Sequence, residues 1–158
     1  MKTITIAATL AMAGAIAEAE PYVARCQMGE CLHYDQTSRQ VVGQGSAAVP
    51  GHLVLVSLRG AVSGDPGTPP SSLAWGEPSP VQFFCSTARP AYMAGGGSYT
   101  ALDLITPAGA TTLVTTMYLR ACHPDLAAFG NPFAAAARLG YRATETGRFQ
   151  NFEALMRR

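Results

Sequence analysis

Two of this chain's four cysteines, Cys85 and Cys122, each close a segment rich in aromatic and β-branched residues, and that coincidence restricts the fold more than any other feature. Residues 81–86 (VQFFCS) form the first segment and residues 111–123 (TTLVTTMYLRACH) the second; both have strand composition. Between them, residues 99–106 predict a third strand, joined to the second cysteine segment through the turn sequence Pro107-Ala108-Gly109. A Cys85–Cys122 bridge would staple this small antiparallel unit. The other pair, Cys26 and Cys31, flanks four residues that include Gly29, where a tight reversal needs a glycine. Four cysteines allow three connectivities, of which we take Cys26–Cys31 with Cys85–Cys122.

Disulfides require an oxidising compartment, and the N-terminus predicts one. Lys2 opens a short positive region, residues 4–16 are an uncharged apolar run, and Ala17-Glu18-Ala19 places small residues at both positions a signal peptidase inspects. The run is too short for the ~20 apolar residues a membrane helix needs. Residues 1–19 are therefore expected to be an export signal, cleaved after Ala19. Lipid attachment at Cys26 is disfavoured by Arg25 immediately before it. The remaining 139 residues suit one β-rich domain, residues 20–158, with no integral membrane segment after cleavage. This places the protein in the periplasm or the secreted space.

After leader removal the chain carries ten arginines, no lysine and nine acidic side chains. A balance this close to neutral argues against nucleic acid or an anionic membrane as partner. Arginine as the sole base fits carboxylate recognition by guanidinium groups. It fits codon bias in a GC-rich genome better, because Ala, Gly and Pro are abundant too.

Strand signals recur over residues 32–34 and 39–44, and residues 52–59 (HLVLVSLR) are a near-continuous apolar run, expected to be a central strand buried on both faces. Residues 63–80 contain five prolines, predicting a long surface loop rather than a ladder, with the lone tryptophan, Trp75, anchoring it to the core. Gly95, Gly96 and Gly97 form a flexible turn; neither a following helix nor a nearby lysine supports phosphate binding there. Beyond His123 the pattern turns helical. Asn131 is a good N-cap, Pro132 a good first helical residue, and Gly140 a stop; Phe149, Phe152 and Met156 predict one apolar stripe on a last helix. The expected fold is mainly β (α+β): a small antiparallel sheet, sandwich or barrel-like, with short C-terminal helices and a disulfide staple.

Chemistry-bearing patterns are sparse. His follows Cys closely at Cys31-Leu32-His33 and Cys122-His123, but the spacing does not match the common zinc sites, and neither Cys-x-x-Cys nor Cys-x-x-Cys-His occurs. No metal and no cofactor is expected. A hydrolase would use Cys85 or Ser86 as nucleophile with His123 as base and Asp125 or Asp103 as orienter. The cysteine version needs a free Cys85, in conflict with the staple. The sequence matches better an exported, non-enzymatic binding or accessory module of the cell envelope, whose partner is a protein or envelope component. The expected binding residues lie on loops: Trp75 in the 63–80 loop, and Arg89, Tyr92 and Tyr99 around the glycine triplet.

Overall fold

The computed structural model describes residues 19–157, so residues 1–18, most of the expected leader, lie outside them. Seven strands run in chain order across one antiparallel sheet: β1 (Tyr22–Gln27), β2 (Glu30–Gln44), β3 (His52–Ser63), β4 (Ser79–Cys85), β5 (Ala91–Met93), β6 (Tyr99–Ala101) and β7 (Gly147–Phe149). The sheet is not closed into a barrel; β1 and β7 are its two edges. Three helices follow β6 in the chain: α1 (Thr112–Cys122), α2 (Pro132–Arg138) and α3 (Phe152–Met156). None of the helices among the described residues is long and apolar enough to cross a membrane.

The connections follow local chemistry. Met28 and Gly29, both at positive φ, make the two-residue reversal between β1 and β2, with the Cys26–Cys31 disulfide directly behind it. The separate strand signals at 32–34 and 39–44 belong to one long strand, β2, bent by irregularities at Gln36/Ser38 and Val41/Gly43. β3 is the expected central strand. Leu53 and Val54 point to opposite faces, as do Phe83 and Phe84 on β4, and all four are buried. One face carries Val54, Val56, Leu58, Val81 and Phe83 against Tyr118, Leu119 and Ala121 of α1 and Ala135 and Ala136 of α2. The other carries Leu53, Phe84, Ala91 and Tyr99 against Leu155 of α3.

The second cysteine segment is a helix, not the expected strand. Thr111 caps it by accepting a hydrogen bond from the Val114 amide, and Thr115, Tyr118, Leu119 and Cys122 are buried at i, i+3, i+4 and i+7. The staple therefore ties a strand to a helix, with Cys85 and Cys122 5.4 Å apart at Cα. The predicted strand at 99–106 stops at Ala101, because the Asp103 carboxylate turns the chain by accepting from the Ile105 amide and the Thr106 hydroxyl. Phe149 lies on β7, so the expected C-terminal helix begins later, at Phe152 behind an Asn151 cap, and Leu155 is its buried anchor. Asn131, by contrast, caps α2 as expected, accepting from the Ala134 amide.

Candidate functional site

The cysteine-nucleophile arrangement is excluded in this structure, since Cys85 is bonded to Cys122 and Cys26 to Cys31. Ser86 is nearly fully buried; its hydroxyl donates to Pro50 O at 2.6 Å and accepts from the amides of Ala88 and Arg89, which makes it the keystone of a turn. His123 is paired with Tyr141 instead, Nε2 to Oη at 2.9 Å. Tyr141 in turn meets the hydroxyl of Tyr118, which donates to Phe84 O and accepts from the Ser86 amide, both at 3.0 Å. Burial, and secondarily His52, hold the His123 pKa below its usual value, while burial raises that of Tyr118 well above the normal phenol range. The chain His123–Tyr141–Tyr118 thus consists of neutral groups joining the end of α1 to β4.

The expected binding residues do not converge. Trp75 is half-buried: its indole N–H donates to Pro70 O, and the Arg59 guanidinium lies 5.2 Å from its ring, itself paired with Asp35 at 2.7 Å. Arg89 sits over Phe149 and donates to the carbonyls of Leu155 and Arg157, clamping the end of α3. Tyr99 is buried against Phe152, with its hydroxyl on Gln82. Tyr92 is half-buried against the α1 side of the sheet. Arg89 and Tyr99 share the α3 face, Tyr92 packs on the opposite one, and Trp75, in the β3–β4 connection, lies against Arg59 of β3.

Five other residues do converge. A cleft of about 750 Å³ opens between the β1–β2 face and the α1–α2 connection, lined by Tyr22 of β1, Gln36 and Arg39 of β2, Arg120 of α1 and Phe129. The antiparallel register places Tyr22 opposite Tyr34, and Gln36 two residues further lies on the same face. Arg39 donates its Nε to Ala121 O at 2.7 Å, which directs the rest of its guanidinium along the cleft. Arg120 is held between the rings of Tyr22 and Phe129, 5.2 Å from each centroid.

Of the four buried side-chain polar atoms that have no hydrogen-bond partner among the described residues, three belong to residues that line this cleft, Tyr22 Oη, Gln36 Oε1 and Arg120 Nε, and each is enclosed by the packing around it. Each such atom costs about 1–3 kcal/mol unless something pairs with it. Tyr22 and Gln36 are only 7% and 6% exposed, so their side chains are fixed by packing rather than by solvent. Burial pushes the Tyr22 pKa far up against the opposing pull of Arg120, so the hydroxyl stays protonated and able to donate. Glu20 and Asp125 bring carboxylates to the exposed rim. What the cleft presents is two arginine side chains beside an apolar wall of Leu126 and Phe129, with carboxylates at its rim. No residue in the sequence flagged it, because its members are scattered from 22 to 129 and meet only once α1 is a helix.

No protein-family model, no curated protein and no solved structure matches this chain. Among the described residues no group of three or more His, Cys, Asp and Glu side chains is placed to hold a metal ion.

Proposed function

We propose that this chain is an exported binding module of the cell envelope or secreted space, folded as one domain after loss of residues 1–19 and acting through the Tyr22–Arg120 cleft. The observation that carries the reading is a cleft of about 750 Å³ that brings two arginines, Arg39 and Arg120, beside the apolar side chains of Leu126 and Phe129. The two disulfides support export, since such bonds persist in oxidising compartments. Trp75 is a second contact surface on the same reading: it is partly exposed, held in place by Arg59, and its neighbours Ala74 and Gly76 line a separate hollow.

The test is expression with the chain's own leader, with a photocrosslinking amino acid at position 129. Recovery from the exported fraction, full protection from alkylation and a crosslinked product of discrete mass are expected. Retention in the cytoplasm with alkylatable thiols would overturn the reading, as would the absence of any crosslinked product.

A further inference from the structure

We infer that the open edge of β1 takes an added strand, an extended segment of a partner protein that carries an acidic side chain and lies between β1 and α1; this rests on the binding reading above and names the partner's chemistry. β1 has a strand on one side only, and among the described residues no loop or cap bonds its other edge through the main chain. In an antiparallel sheet every second residue of such an edge points its N–H and C=O away from the neighbouring strand, a pattern that a further strand completes. β7, the opposite edge, offers three residues, whereas β1 offers six.

The space beside β1 has the form that strand addition needs. Residues 23–26 all line one hollow, and because side chains alternate along a strand, a hollow that meets four consecutive residues lies along the strand's edge. Its other wall is Thr112, Thr116 and Arg120, at i, i+4 and i+8 on one stripe of α1. Val23, Arg120 and Phe129 line both this hollow, of about 210 Å³, and the 750 Å³ cleft, so the two form one continuous groove. The Cys26–Cys31 bond holds β1 in its hairpin, so the edge is in place before anything binds.

Charge selects the occupant. Arg25 is the sole charged side chain of β1 and is exposed; it lines the hollow together with Arg120, and no carboxylate of the described residues does so. A second copy pairing β1 with β1 would bring another Arg25 to this place, and like charges across a ladder destabilise it. An acidic strand is attracted where the copy is repelled. The register shift between Val23 and Arg25 acts in the same direction, since it interrupts long edge-to-edge stacking and leaves room for a short segment.

Main-chain bonding accepts a strand of varied sequence, so the test uses a simple probe, the capped pentapeptide acetyl-TVEVT-amide, titrated into the isotope-labelled, disulfide-bonded protein. Amide shifts over residues 22–27 and 112–120 that saturate at millimolar concentration are expected, with slowed hydrogen exchange at alternate amides of β1. The TVKVT counterpart should bind about tenfold more weakly or worse, and Arg25→Glu should reverse that preference. Two further forms of the peptide carry ester links in place of the N–H of both valines, or of the glutamate and the last threonine. These N–H groups lie on opposite edges of the extended peptide, so one form should lose about tenfold more affinity than the other.

The peptide comparison on the unaltered protein decides the matter whatever the variant does. Equal binding of the acidic and basic peptides, equal loss in the two ester forms, or shifts without protection of β1 amides would each overturn the inference. Sedimentation showing self-association that protects the same amides without peptide would overturn it as well, in favour of a second copy. A silent groove together with a crosslinked partner at position 129 rejects strand addition and keeps the binding reading; a silent groove without one rejects both.

Discussion

The two disulfides should differ in their contribution to stability by a predictable margin. Cys85 and Cys122 are 37 residues apart, whereas Cys26 and Cys31 are 5 apart. Chain-entropy reasoning converts those loops into about 4 kcal/mol for the first and about 2 kcal/mol for the second. Packing widens the gap. Both Cys85 and Cys122 are buried where α1 meets the sheet, so replacing them with alanine also removes two well-packed sulfurs. Cys26 is exposed, and the hairpin its bridge closes is already held by the β1–β2 ladder and the Met28–Gly29 turn. The assay is urea unfolding of the disulfide-bonded protein, of Cys26→Ala/Cys31→Ala and of Cys85→Ala/Cys122→Ala, followed by far-ultraviolet circular dichroism and tryptophan fluorescence together. The second variant is expected to lose at least about 2 kcal/mol more than the first. In a domain whose total stability is ~5–15 kcal/mol, that variant is a large part of the way to unfolding. An equal loss in the two variants, or the reverse order, would show that loop length and burial do not govern these bonds.

Three further perturbations probe the interior. Tyr118→Phe strips a hydroxyl that serves Phe84 O and the Ser86 amide in a fully buried site; a loss of about 1–3 kcal/mol and faster hydrogen exchange at the Ser86 amide are expected, and unchanged exchange would show that the amide finds another partner. Gly109→Ala places a Cβ 2.2 Å from Asp103 Cβ in the turn that stops β6, so a loss of about 1–3 kcal/mol in urea is expected. A neutral result there would mean that the 103–109 turn opens at little cost. His123 is held below its usual pKa of 6.5 by burial and by His52, so the native state binds fewer protons than the unfolded chain. Its contribution is complete above 6.5 and is lost as pH falls from 6.5 through the native pKa. His123→Gln should flatten the difference in urea midpoint across that interval, and identical pH profiles for the variant and the parent protein would refute the assignment.

The parts of the fold that were legible in the sequence are those in which one residue type acts locally. The turn glycine at 29, the apolar run of β3, four of the five prolines expected in the 63–80 loop and the Asn131-Pro132 start of α2 each act within a few positions of themselves, whereas the fifth, Pro80, lies on β4 opposite Ser57. The disulfide pairing was legible as well, since only two cysteines lie close enough in the chain to close a hairpin. Residues 111–122 misled because composition and periodicity disagree: threonine and valine favour strands, while the spacing of Thr115, Tyr118, Leu119 and Cys122 is that of a helix. Packing decided it. A strand would have sent half of these side chains to solvent, whereas the helix buries one face against β3 and β4 and brings Cys122 to Cys85.

The same error hid the cleft. On a strand, Tyr118, Arg120 and Cys122 share one face, so Arg120 would travel with the staple and the core. On the helix it is turned aside from Tyr118 and Cys122, toward β1, where Tyr22 and Phe129 close over it. Composition makes arginine the base at every position after Lys2, but it does not explain why two of them are brought beside Tyr22 and Gln36. Composition is a property of the whole chain, whereas unpaired buried donors are a property of a place. That place is set by the Cys85–Cys122 bridge and by the helix that carries Arg120, so changes to the staple should loosen the cleft before any cleft residue is altered. Photocrosslinking from position 129 in the Cys85→Ala/Cys122→Ala variant measures that dependence. A weaker crosslink at urea concentrations where α1 remains folded is expected, and an undiminished one would show that the cleft keeps its shape without the staple.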